Sequence, residues 1–202
     1  MITGSGPGAG KTTLAERLRA AFEDRHCTAR LWPEKALFKW EILADLADRF
    51  RRREYPSADD LIGVLSHVLS SADSDLTWIQ DWSWVDIAED LPWAAHDLSA
   101  LDTFSRRAHA AAVHLQPVVL YLSADIPAAL DRAVRQRGER WLARRGTFEA
   151  VAASYVLRET RIRHAITAGG WPCIDIHVHS DADRVLAEAR TALRLTDNDS
   201  TS

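Results

Sequence analysis

A lysine and two threonines close a glycine-rich run near the start of the chain: Gly6-Pro7-Gly8-Ala9-Gly10-Lys11-Thr12-Thr13. Residues of these types in this order can hold a polyphosphate. Glycines let backbone N–H groups converge on phosphate oxygens, and a helix opening at Lys11 adds the positive end of its dipole. Lys11 would then neutralise the β- and γ-phosphates, and the Thr12 hydroxyl would sit where it can bind Mg²⁺. The strict pattern has a glycine where Ser5 stands here, between Gly4 and Gly6, so most of the cradle remains. The bland alternative is a glycine-rich turn before a helix. The order strand, loop, Gly-Lys-Thr, amphipathic helix makes it a poor competitor.

Phosphoryl transfer needs carboxylates beside the phosphates: one to orient or deprotonate the attacking hydroxyl, one to hold Mg²⁺. In a parallel α/β sheet, ligands bind beyond the carboxyl ends of the strands. The phosphate loop marks that edge, and two other strands ending there lead into Glu34 and Asp81. Each taken alone could be a solvated strand-end acid; beside a phosphate loop they are the candidate base and the candidate metal ligand. Arg132, Arg135, Arg137, Arg140, Arg144 and Arg145 crowd a later stretch in which only Asp131 and Glu139 are acidic. Such forked cations can close over a triphosphate, with Arg137 and Arg140 acting on the transferring charge and Gly138 and Gly146 as hinges. The competing reading is a basic surface helix.

The elements that must position these groups follow from periodicity. Met1-Ile2-Thr3 is the stub of a first strand, short enough to leave open a native start a few residues upstream. Leu14, Leu18, Ala21 and Phe22 recur at helical spacing. Residues 29–32 read as a second strand stopped by Pro33, and helices are expected over 35–53 and, capped by Ser57, over 58–69. Residues 76–80 read as a third strand. Leu98, Leu101, Ala108, Ala111, Ala112 and Leu115 form one stripe of a long helix. Val118 to Leu122 is a continuous apolar run, as in a strand buried on both faces. Helices over 126–137 and 148–168, a strand over 173–178 and a helix through Val185–Leu193 complete the pattern. Alternating strands and helices predict an α/β, three-layer P-loop NTPase fold: a parallel sheet of about five strands, helices on both faces, and an arginine-rich lid.

The chain has 202 residues, enough for one such domain over 1–195, followed by a polar tail over 196–202. Hydrophobic residues make up 47% and charged residues 27%, which excludes a disordered chain. A net charge of −4 gives no footprint for a nucleic acid polymer and favours a small soluble partner. No apolar run approaches the ~18 residues of a membrane span, and no signal peptide fits before the loop. Cys27 and Cys173, without metal spacing, read as reduced thiols of a cytoplasmic protein. A homodimer is left open. Eight tryptophans are unusual, and four of them fall between Trp78 and Trp93. They fill a core or wall a pocket. Trp84 lies two residues beyond Trp82 and would point the same way if the chain stays extended.

Taken together these residues resemble the deoxynucleoside kinase and thymidylate kinase branch of P-loop kinases, over roughly residues 2–190. In the former the second strand ends in a Glu-Pro pair followed by a Trp; here Trp32-Pro33-Glu34-Lys35 is followed by Trp40. The resemblance implies that Glu34 is the catalytic base and that Glu34 and Trp40 border the acceptor. Asp81-Trp82-Ser83 stands where the family has Glu-Arg-Ser, so Trp82, with Trp84, replaces a cation at the acceptor end. Tyr121-Leu122, Asp131-Arg132 and Arg137-Gly138-Glu139-Arg140 resemble the fourth strand and the lid. The end of the last strand, from His177 to Asp181, would border the adenine. The implied reaction is transfer of the γ-phosphoryl group of Mg-ATP to a hydroxyl of a small molecule, with ATP and Mg²⁺ as cofactors. Two alternatives remain: an antibiotic or secondary-metabolite kinase of the same fold, and a regulatory P-loop ATPase switch.

Overall fold

The computed structural model describes residues 1–4, 6–32, 44–70, 72–73, 75–95, 97–178 and 181–195, with the side chains at 46, 47, 50 and 51 left aside. Strand β1 (Ile2–Gly4) feeds the glycine-rich loop and helix α1 (Lys11–Glu23). Strand β2 (Ala29–Trp32), α2 (Ala44–Arg51) and α3 (Ala58–Ser70) follow. Strand β3 (Thr77–Gln80) leads into two short helices, α4 (Trp84–Glu89) and α5 (Pro92–Ala95), and then α6 (Leu98–Ala112). A single 3₁₀ turn joins α6 to β4 (Val119–Ser123). Helices α7 (Ile126–Arg137), α8 (Glu139–Ala143) and α9 (Phe148–Gly169) precede β5 (Cys173–His177) and α10 (Ala182–Ala192).

The fold is α/β, and among the described residues every strand pair is parallel. The described strands do not form one hydrogen-bonded sheet, however. Backbone hydrogen bonds join β1, β4 and β5 in one ladder, in the order β1-β4-β5, and β2 with β3 in another. The three residues of β1 pair with Leu120 to Leu122, and Ile2 of β1 and Ile79 of β3 both line an apolar cavity. Helix α1 packs against β1, β2 and β3.

Period-two alternation divides the core. Val119 and Tyr121 of β4 belong to a cluster with Leu61, Leu65, Leu101, Phe104 and Ile162 of α3, α6 and α9. Leu120 and Leu122 face Leu14, Leu18, Val185 and Ala189 of α1 and α10. This is why Val118 to Leu122 reads as one unbroken apolar run. Ser57 caps α3 as expected: its hydroxyl accepts from Asp60 N, and Asp60 Oδ2 accepts from Ser57 N. The Ser57 hydrogen bonds, with Arg49 alongside, hold the Asp60 carboxyl below its usual range. Among the described residues, no helix is long and apolar enough to cross a membrane.

Candidate active site

The glycine-rich loop is shaped by close packing. A Cβ on Gly4 would lie 2.4 Å from the Leu122 carbonyl oxygen, so β1 approaches β4 as only glycine allows. Gly8 has φ +79°, and a Cβ there would lie 2.1 Å from the Ala129 carbonyl oxygen. Helix α7 therefore rests directly on the loop, and Arg132 Nε donates to Gly8 O at 3.2 Å. Gly10 caps α1 at φ 88° with no side-chain hydrogen bond, leaving the first-turn N–H groups to face the cleft. Gly8→Ala is expected to combine backbone strain with a steric clash against α7. A Cβ on Gly10 meets nothing within 4 Å, so Gly10→Ala carries the φ strain alone. Thermal unfolding should rank Gly8→Ala well below Gly10→Ala, whose own penalty is about 1–3 kcal/mol. Equal melting points would remove the packing argument.

Lys11 Nζ arches back over the loop and donates to Gly6 O at 3.0 Å. Thr12 Oγ1 donates to Asp81 Oδ2 at 2.8 Å. Asp81 directly follows β3 and is 6% exposed. The hydroxyl and the carboxylate thus meet from distant parts of the chain, beside the loop. Among the described residues no cluster of three or more His, Cys, Asp and Glu could cage a metal. Mg²⁺ does not need one: it is usually held by one or two protein oxygens, with water and substrate phosphates completing its shell. Thr12 and Asp81 fit that donor set.

Around them lies a polar cleft of about 870 Å³. Loop residues from Gly6 to Thr13 line it, together with Asp81, Arg137 and Arg145. Glu89, Asp90, Tyr155 and Arg158, which the sequence reading did not single out, line it too. The Tyr155 ring packs on the loop, with its Cδ1 only 3.1 Å from where a Cβ of Gly6 would be. Arg158 donates to the Asp86 carboxylate at 3.2 Å and to the Asp86 carbonyl at 3.0 Å. It also pairs with Glu89 and Asp90, at 3.1 and 3.2 Å. Burial alone would lower its pKa, but the carboxylates of Asp86 and Asp90 outweigh burial and raise it. Asp86 completes a capping box with Ser83 and accepts from Thr3 Oγ1 at 2.9 Å, which ties α4 and α9 to the strand carrying the loop. The Glu89 carboxyl is pushed up by burial, against the opposing pull of Arg158 and Arg161.

The chain matches no family model and no curated protein.

The expected site residues are therefore placed by the geometry alone. Gly6 to Thr13, Asp81 and Arg137 all line the cleft. Glu34 and Trp40 lie outside the described residues, as do His179 and Ser180. Arg140 is exposed on α8 and does not line the cleft, whereas Arg145 does. Trp82 and Trp84 depart from expectation most. The chain does not stay extended after Asp81: Ser83 caps α4, which opens at Trp84 itself. Both indoles are 2% exposed and pack edge to face at 4.9 Å, with Trp32 5.4 Å from Trp82. Trp82 Nε1 donates to Trp32 O at 3.2 Å. These rings pack in the core and neither lines the polar cleft, while Trp84 also borders the apolar cavity between the ladders.

Proposed function

We propose that the protein is an ATP-dependent small-molecule kinase with a three-layer P-loop fold, in which the two ladders act as halves of one five-stranded layer. The observation that carries this reading is the 2.8 Å contact between Thr12 Oγ1 and Asp81 Oδ2, made beside an uncapped helix start and a glycine-rich loop. A bound Mg²⁺ would supply charge neutralisation between the β- and γ-phosphates. The chain's own groups do the rest. Loop N–H groups and the α1 dipole bind and orient the phosphate chain. Lys11 swings from Gly6 O to the phosphate oxygens. Arg137 and Arg145 stabilise charge as it moves between phosphates. Glu34, in the role the resemblance implies, takes the acceptor's proton.

The cleft also bears on the acceptor. Asp81, Glu89 and Asp90 share its wall, and Arg158 is neutralised by its three carboxylate partners. Position 82 supplies a buried indole where the resembling family has a cation. A second phosphate is poorly received in such surroundings, so an uncharged or cationic hydroxyl compound is the expected acceptor. The test is phosphoryl transfer from Mg-ATP to a panel of nucleosides, their monophosphates, and hydroxyl compounds bearing amines. One small molecule should raise ATP turnover strongly. A monophosphate with kcat/KM above that of its parent nucleoside would overturn the acceptor assignment. Turnover that responds only to a protein partner would favour the ATPase switch.

A further inference from the structure

A second cavity lies between the two ladders, on the side of the strands away from the phosphate loop. Its volume is about 480 Å³, and none of its lining residues is shared with the phosphate cleft. Ile2, Ile79 and Leu120 form its strand walls and Ala112 of α6 part of its helical side. Among the described residues, the side chains lining it include no Asp, Glu, Lys, Arg or His. Polar groups interrupt the apolar wall at Thr77, Gln80 and Gln116 and at the indoles of Trp32, Trp78 and Trp84. Gln80 is 6% exposed and Trp84 is 2% exposed. Gln80 Oε1 and Trp84 Nε1 are buried without a hydrogen-bond partner among the described residues.

Both facts ask for an occupant. A dry apolar void of about 150 Å³ is already enough to take up benzene. A buried acceptor and a buried donor each carry a desolvation penalty until something satisfies them. Volumes of about 300–1,000 Å³, apolar walls and a few polar groups are the ordinary features of small-molecule pockets. We propose that this cavity is a binding site for a small uncharged aromatic molecule with one hydrogen-bond donor, for Gln80 Oε1, and one acceptor, for Trp84 Nε1, and that its occupancy tightens nucleotide binding. The coupling follows from the strands. β1 runs from the cavity wall at Ile2 into the phosphate loop, and β3 runs from Ile79 and Gln80 into Asp81. A molecule wedged between them fixes the spacing on which the Thr12–Asp81 contact depends. Linkage makes the effect reciprocal. The binding half stands without the kinase reading; the coupling half rests on the phosphate site.

Benzamide is the probe, because it offers an aromatic ring, a donor and an acceptor; toluene and benzamidinium are its controls. Binding to the full chain is read by calorimetry and by quenching of tryptophan fluorescence, since Trp84 borders the cavity. Benzamide should bind about tenfold or more tightly than toluene, the value of about one good hydrogen bond, and benzamidinium should not bind. Gln80→Leu should remove the preference for benzamide while toluene still binds. Ala112→Phe should project a ring into the cavity and weaken binding of both. Equal affinity for benzamide and toluene, or unchanged benzamide binding by Ala112→Phe, would overturn the site. Affinity for a non-hydrolysable Mg-ATP analogue is measured with and without saturating benzamide. A severalfold gain is expected, and no change would overturn the coupling. Failure of the analogue to bind at all would count instead against the phosphate site, so the two readings fail separately.

Discussion

Lys11→Ala is expected to abolish phosphoryl transfer while leaving the fold intact. The lysine is partly exposed, and its Nζ bonds to Gly6 O within its own loop, so the core does not depend on it. The β- and γ-oxygens gather negative charge during transfer, and a preorganised cation aimed there is worth ~10²–10³ in kcat or more. The measurement is single-turnover transfer from Mg-ATP with the acceptor saturating, beside a thermal melt of the same preparation. Loss of transfer with an unshifted melt supports the assignment. A variant that turns over at the parental rate shows that the glycine-rich loop is only a turn. Asp81→Asn provides the metal counterpart: the Thr12 contact can persist through the amide, but the anionic ligand is gone, so the Mg²⁺ requirement should rise.

The parts of this site that were legible in the sequence are those set by short-range rules. The loop declares itself because only glycine tolerates the φ of +79° and +88° at Gly8 and Gly10. β4 declares itself because both of its faces are buried. Ser57 and the stripe from Leu98 place α3 and α6 to within a residue or two. Asp81 is found because it follows a strand. What could not be read depends on distant partners. Arg158 lies in the middle of a helix with weak amphipathic patterning, and its three carboxylates come from α4 and the turn after it. The helix carrying those carboxylates was missed because an apolar Trp82-Ser83-Trp84 alternation looks extended. The overlooked local signal was Ser83-x-x-Asp86, a capping box. Nor does a strand of three residues reveal which neighbours it bonds, and so the division into two ladders was not legible either.

The lid should separate its arginines sharply. Arg137 ends α7, Trp141 lies on α8 and Arg145 follows α8. The Arg137 guanidinium lies 5.1 Å from the Trp141 ring centroid and that of Arg145 lies 4.5 Å from it. Arg145 Nη1 also donates to Trp141 O at 3.1 Å. One indole thus holds two cations, both of which line the polar cleft. Gly138 and Gly146 bracket the segment at φ 83° and 132°, conformations in which glycine can hinge. Arg137→Ala and Arg145→Ala are each expected to cut kcat by ~10²-fold and to change KM for ATP little, because the charge they meet develops only in transfer. Arg140→Ala, on the exposed side of α8, should stay within severalfold of the parent. Trp141→Leu should reproduce the kcat loss without removing any charge, since the two guanidinium groups lose the ring that positions them. Trp141→Phe keeps a π face for both cations and should restore most of the rate. A KM effect with normal kcat in the arginine variants would reduce them to ground-state binders. Equal losses for Arg137, Arg140 and Arg145 would mean that bulk positive charge, not the stacked pair, serves the reaction.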